Sequence, residues 1–346
     1  MFGFFKDEGS AAADLYVDLG TENTLIALRG KGIVLNEPSL IACTEIRPGQ
    51  RKIIAIGLAA KEKGSQSAGN IFTTRPLREG VIADIDTTEA MLRYFLKRTN
   101  MVGFMKRPRL LMSLPYGVTE VEKRAAIKAG KAAGARQVIL IDEPMAAAVG
   151  ANLPIEEPQG SMVVDIGGGT TEVAIIALSD IVFCQSIRAG GHKFDHCILN
   201  YLKTYKKLII TEAVAEQLKL ELGTACPKKD IRSSEVKGRN SETGAVQTIE
   251  VTSEDVGNAL DEPIGEIIAA INNVLGQTPP ELVGDLIEAG IVLTGGGALI
   301  RDIDLRFRNE VRLPVRRADD PLFTLVRGGE MILSNPELLD KIQLEV

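Results

Sequence analysis

Met162-Val163-Val164-Asp165-Ile166-Gly167-Gly168-Gly169-Thr170-Thr171-Glu172-Val173 decides the reading of this chain. An apolar run ends in Asp, a glycine-rich turn follows, and a second apolar run continues through Leu178, which predicts a β-hairpin. The pattern has an earlier counterpart. Val17-Asp18-Leu19-Gly20-Thr21 lies 147 positions upstream, and β-rich residues 15–19 and 24–28 flank the turn Gly20-Thr21-Glu22-Asn23. One Asp-apolar-Gly turn means little, because Asp and Gly populate any tight hairpin. Two copies, nearly half a chain apart, predict two similar domains.

Around these hairpins strand-like and helix-like segments alternate, the mark of an α/β architecture. In the first half, residues 33–42, 53–56, 109–114 and 137–141 read as strands. Residues 87–98, opening on threonine caps, and 119–133 read as helices, and Pro144 starts another. In the second half a strand near 181–188 precedes helices near 194–203 and 211–222. The polar stretch 227–245 reads as a loop, 253–275 as a helix, and 290–293 as a strand ahead of Gly295-Gly296-Gly297 and a further helix.

The two turns suggest an anion site. Glycines let backbone N–H groups approach a phosphate closely, and threonine hydroxyls add donors. Asp18 and Asp165 beside phosphates would need a cation, and Mg²⁺ held largely through water suits that role; the plain alternative is that each Asp serves its own turn. Ile291–Ala298 is an apolar strand running into Gly295, Gly296, Gly297 and Ala298, which fits close approach to a sugar and phosphate at a helix start. Ile141-Asp142-Glu143-Pro144 precedes an alanine-rich helix. Asp capping and proline in the first turn explain it locally, while Glu143 orienting a water for attack on a γ-phosphate explains it chemically.

Length and composition bound the rest. At 346 residues with 45% hydrophobic and 25% charged residues, the chain can bury a core in each half without staples. A net charge of −6 argues against nucleic acid as partner. Cys43, Cys184, Cys197 and Cys226 have no regular spacing, which points to a reducing cytosol rather than a disulfide framework. No apolar run approaches the roughly 20 residues of a membrane span. His192 and His196 stand four apart, yet no Glu follows the first in the zinc pattern, so exposed or capping histidines are the ordinary reading.

Taken together, DLGT-x-NT from Asp18, RGKGIVLNEPS at 29–39, REGVIAD at 78–84, IDEPMAAA at 141–148, VVDIGGGTTEVA from Val163 and LTGGGALIRD from Leu293 resemble the bacterial actins of MreB type. These belong to the actin, sugar-kinase and heat-shock chaperone ATPase superfamily, and the similarity runs from about residue 14 to 335. The resemblance implies an actin-like ATPase fold: two similar domains, four subdomains, around a nucleotide cleft. Domain I would take 1–144 plus 320–346 with a small lobe near 33–74; domain II would take 145–319 with a small lobe near 182–249. It implies ATP/ADP and Mg²⁺ as cofactors. Gly20, Thr21, Glu22 and Asn23 would form the first phosphate loop, and Gly167, Gly168, Gly169 and Thr170 the second. Gly295 to Ala298 would meet the adenosine, with Glu216, Gln217 and Lys219 flanking base and ribose. Glu143 and Thr170 would hold the attacking water. Two departures stand out: Glu22 replaces the usual Ala, and His192 replaces an acid near the metal.

Surfaces complete the expectation. Phe2, Phe4 and Phe5 beside Lys6 form an aromatic wedge suited to shallow insertion at a lipid interface. Met101–Arg107, with Phe104 and Met105, offers a second apolar segment flanked by cations. The resemblance implies self-assembly into filaments, the inner face of the cytoplasmic membrane and membrane proteins of the cell-wall elongation machinery as partners, no nucleic acid, and a cytoplasmic, membrane-peripheral location. A small-metabolite kinase on the same fold is the alternative, but no acid beyond Glu143 offers a base for an acceptor hydroxyl. A chaperone ATPase would need a substrate-binding domain, and a division-type actin a long amphipathic tail; neither follows in this sequence.

Overall fold

The computed structural model describes residues 14–47, 50–65, 70–101 and 107–345. The chain packs as two units: one from the residues up to Leu114, Val118–Ile141 and Gly329 onward, the other from Pro115–Gly117 and Asp142–Gly328.

In the first unit, β1 (Asp14–Leu19), β2 (Asn23–Leu28) and β3 (Gly32–Pro38) form an antiparallel meander. The strand expected over 33–42 breaks at Ser39-Leu40, and β4 (Ile41–Arg47) joins a different sheet with β5 (Gln50–Ile56) and β6 (Ile71–Thr74), next to α1 (Leu58–Ser65). Pro38 explains the break, since it brings no N–H to the ladder, and Ser39 Oγ turns back to donate to Gly20 O at 2.6 Å. A two-stranded ribbon of β7 (Leu77–Arg78) and β8 (Val81–Ile82) leads to α2 (Ile85–Arg98). That helix is capped by the Asp84 carboxylate, which accepts from the amides of Asp86 and Thr87, and not by a threonine. β9 (Arg109–Leu114), α3 (Glu120–Ala132) and β10 (Gln137–Asp142) complete the main sheet. Leu15, Val17, Ile26, Phe95, Leu110 and Met112 lie at the heart of its core.

The second unit opens with α4 (Glu143–Gly150) and repeats the scheme with β11 (Ser161–Ile166), β12 (Thr171–Ala177) and β13 (Asp180–Ile187). Then come α5 (Gly191–Tyr205), β14 (Leu208–Ile209), α6 (Glu212–Leu222), β15 (Ser233–Asn240), β16 (Val246–Thr252) and α7 (Ser253–Gln277). The stretch expected to be a loop at 227–245 thus holds β15 and starts the turn to β16. It is the middle strand of the small sheet β14-β15-β16 with little core beneath it: Val236 alone is fully buried in β15, so polar residues dominate the strand. α7 owes its start to a reciprocal cap between Thr252 and Asp255. α8 (Pro280–Ala289), β17 (Ile291–Thr294), α9 (Ile303–Val311) and β18 (Val315–Arg317) follow; α10 (Thr324–Ser334) crosses from this unit back into the first, to which α11 (Pro336–Ile342) belongs.

Written from the meander edge, the two main sheets run β3-β2-β1-β9-β10 and β13-β12-β11-β17-β18. In both, an Asp-Gly hairpin strand is central, flanked by its antiparallel partner and by a parallel strand. The repeat visible in the sequence is therefore a repeat of topology.

Candidate functional site

In the first unit the turn Gly20–Asn23 closes β1 onto β2. A Cβ on Gly20 would stand 2.5 Å from Asn23 O, so only glycine permits this closure. Thr21 is buried, and its Oγ1 accepts the Gly80 N–H at 3.0 Å, which leaves one hydroxyl proton to offer. Glu22 is balanced by Arg75: the guanidinium lies 2.9 Å from its carboxylate and also donates to Thr21 O at 3.3 Å. The acid expected to be a departure at this turn thus comes with its own cation. Asp18 is half-buried at the end of the same strand.

In the second unit Gly167 N donates to Thr170 O at 2.9 Å and closes the glycine turn. The turn is seated on the start of α5: Gly191 N donates to Gly167 O at 3.0 Å and His192 N to Gly168 O at 2.9 Å. Gly190 is required there, because a Cβ would lie 2.7 Å from Gly167 O. Lys219 fixes this corner from α6, with Nζ donating to Gly191 O at 3.2 Å and to Asp195 Oδ2 at 2.9 Å. Glu216 shares its half-buried face, as the i,i+3 spacing requires. Gln217 instead faces solvent and donates to Glu221 at 2.8 Å on its own helix.

Asp165 is buried at the end of β11, where Thr294 Oγ1 donates to its Oδ1 at 2.8 Å. Burial pushes its carboxyl above the ordinary range, against the pull of that hydroxyl. Gly295 sits at φ 78°, and a Cβ there would meet Ile166 O at 2.4 Å and Asp165 Oδ1 at 2.7 Å. The third glycine cluster is thus packed onto the end of β11. It continues into a single 3₁₀ turn, Gly296–Leu299, not an α-helix, and Ala298 is wholly buried with its amide bonded to Gly295 O at 3.2 Å. Gly296 is the exposed member. The α-helical N-terminus expected at this point is absent; α9 begins only at Ile303.

Glu143 is buried as the first residue of α4. Asp142 holds the cap position but makes no side-chain capping bond, so of the local explanation the first-turn proline and the first-turn acid Glu143 remain and the Asp cap does not.

One acid escaped sequence reasoning. Glu172 is buried in β12, directly across from Asp165, and its Oε1 accepts the Tyr116 N–H at 2.8 Å. Burial, together with the charges of Asp165 and Asp142, pushes its carboxyl up to about 8 against that hydrogen bond. The available signal was an acid inside Thr171–Ala177, a run whose every residue is buried. The aromatic wedge Phe2, Phe4 and Phe5 and the pair Phe104 and Met105 lie outside the described residues. No helix among the described residues is long and apolar enough to cross a membrane.

The paired hairpins, the seated glycine turn and the third glycine cluster agree with the comparison to known families. The MreB/Mbl protein family matches residues 12–341. This chain belongs to the MreB/Mbl family. The cell shape-determining protein MreB of Escherichia coli (strain K12) is 47% identical over 337 residues, 97% of this chain and 96% of that one. Among solved structures, MreB5 of Spiroplasma citri bound to AMPPNP superposes with a TM-score of 0.89 at 36% identity, covering 95% of this chain and 98% of that one. Its ADP-bound form gives 0.88 at the same identity over 94% and 98%. The MamK double helical filament, at 21% identity and a TM-score of 0.77 over 93% and 99%, shares the fold. The actin-like fold of this MreB/Mbl chain is therefore shared with structures both near and distant in sequence.

Proposed function

We propose that this chain is a bacterial actin of the cell-shape apparatus: it binds ATP, assembles into filaments on the inner face of the cytoplasmic membrane, and hydrolyses ATP slowly to time their turnover. The observation that carries this reading is the Asp-Gly hairpin repeated at the same place in both main sheets. The MreB5 relatives bound to ADP and AMPPNP support a nucleotide as the ligand of these turns. The name of the Escherichia coli relative supports cell shape, and the MamK filament supports self-association.

In this reading Gly167–Thr170 and Gly20–Asn23 offer backbone donors to the phosphates, and Lys219 and Glu216 flank the base and ribose. Glu143 and Thr170 orient a water. The water oxygen attacks the γ-phosphorus, the bond to the β–γ bridging oxygen breaks, and a proton leaves the water as ADP and phosphate form. A carboxylate is a weak base, which keeps the step slow. The acids fit a hard cation: Asp165 is an oxygen donor whose charge burial disfavours. Among the described residues no cluster of three or more potential ligands could cage an ion alone, so Mg²⁺ fits here as an ion shared with phosphate and water. It would supply neutralisation of the phosphate charge.

Sedimentation with ATP, with ADP and without nucleotide, alongside phosphate release, tests the reading. ATP-dependent pelleting is expected, and Glu143→Ala should keep it while slowing phosphate release at least about 100-fold. Nucleotide-independent solubility would refute the filament; normal hydrolysis by the variant would refute the role of Glu143.

A further inference from the structure

The donors of the second glycine turn are aimed from behind. Gly167 O and Gly168 O accept the first amides of α5, from Gly191 at 3.0 Å and His192 at 2.9 Å. A trans peptide points its carbonyl and the following N–H in opposite directions. Holding those two oxygens toward α5 therefore aims the Gly168 and Gly169 amides away from it. Among the described residues neither amide donates within the chain, so both are open to an anion. Any shift of the start of α5 would swing both donors together.

A pair of charges holds that start in place. Lys219 of α6 and Asp195 of α5 are only 14% and 13% exposed at their side chains. The Lys219 ammonium donates to Gly191 O at 3.2 Å and lies 2.9 Å from both carboxylate oxygens of Asp195. Burial pushes the Asp195 carboxyl above its ordinary range, and Lys219 pulls it back. Charges this enclosed are costly unless paired, so each keeps the other where it is. The helix dipole does not account for Asp195, which lies beyond the first turn of α5. The pair instead joins the helix assigned to base and ribose to the turn assigned to the phosphates.

We propose that Asp195 is a positioning residue for the nucleotide reaction: through Lys219 and the start of α5 it orients the phosphate-binding amides of Gly168 and Gly169. The inference rests on the nucleotide reading above and deepens it, because it gives Lys219 a task at the phosphate turn as well as beside the ribose. Two of the three ammonium protons already serve that task, one on Gly191 O and one on Asp195. A ligand with base and ribose but no phosphate should scarcely feel the pair. A triphosphate should feel it fully.

The test measures binding of ATP and of adenosine to the full chain with Mg²⁺, at protein concentrations too low to pellet, alongside phosphate release at saturating ATP. Asp195→Ala should weaken ATP about 10- to 100-fold, the loss of one charge-assisted contact, and leave adenosine within about 2-fold. Its phosphate release should also slow at saturating ATP, because Thr170 shares the displaced turn. Asp195→Glu, which restores the charge, should recover most of both losses. Should Asp195→Ala fail to fold, Asp195→Asn keeps the shape and one acceptor and carries the same test, with about 3- to 10-fold expected on ATP. Equal weakening of ATP and adenosine would overturn the inference, since the pair would then serve the base side or packing alone. So would a folded variant that binds and hydrolyses ATP like the wild type. A wild type that binds no ATP would instead overturn the nucleotide reading, and this inference with it.

Discussion

At the scale of single residues, Glu172 shows what a sequence pattern hides. Strand reading registers apolar alternation, and an acid at the start of an apolar run passes as a strand end. Only the pairing of β11 with β12 sets it across from Asp165 in a dry interior. Its carboxyl moves from an ordinary 4.5 to about 8, so between those values the folded chain holds a proton that the unfolded chain has released. Stability therefore falls as pH rises through that window and levels off above it. Glu172→Gln keeps an acceptor for Tyr116 N–H but cannot ionise. Measured without nucleotide or divalent ions, its melting midpoint should gain on the wild type between about pH 5 and about pH 8.5, by roughly 2–4 °C per kcal/mol recovered. An equal gap at both pH values would show that Glu172 carries no such proton. Asp18, Asp165 and the glycines were legible because their chemistry is local to a turn.

At the scale of elements, the hairpins and most helices were readable because apolar spacing fixes them. β15 was not, since a strand with one fully buried residue, in a small sheet, keeps almost no hydrophobic signal. The third glycine cluster was half readable: its glycines announced a close approach, but the partner is the β11 strand end, a tertiary contact. The demand is strict at Gly295, where φ is 78° and a Cβ would collide with Ile166 O and Asp165 Oδ1. Gly295→Ala should cost at least about 2 kcal/mol in a denaturation midpoint, combining left-handed strain and overpacking. It should also weaken nucleotide binding by displacing Asp165. Unchanged stability and affinity would mean that β17 and β11 part easily at this point.

At the scale of the whole molecule, weak contacts gain weight by repetition. In the proposed reading, one aromatic wedge would bind a bilayer marginally, whereas a filament would present many at once. Phe4→Ser/Phe5→Ser should therefore reduce co-flotation of ATP-grown polymer about 10-fold or more while leaving polymer mass unchanged; full retention on vesicles would place the hold elsewhere. Charge acts at the same scale. A chain of net charge −6 has to admit a polyphosphate without capturing every small anion in the cell. Arg75, held 2.9 Å from Glu22 in a partly exposed pair, bears on this. Such a pair contributes at most about 1 kcal/mol, so an incoming ligand can displace the carboxylate cheaply. Until that exchange happens the turn presents no bare cation, and chloride or inorganic phosphate finds little there to compete for. If the turn takes a phosphate as proposed, an anion reaches the Arg75 guanidinium only by displacing Glu22.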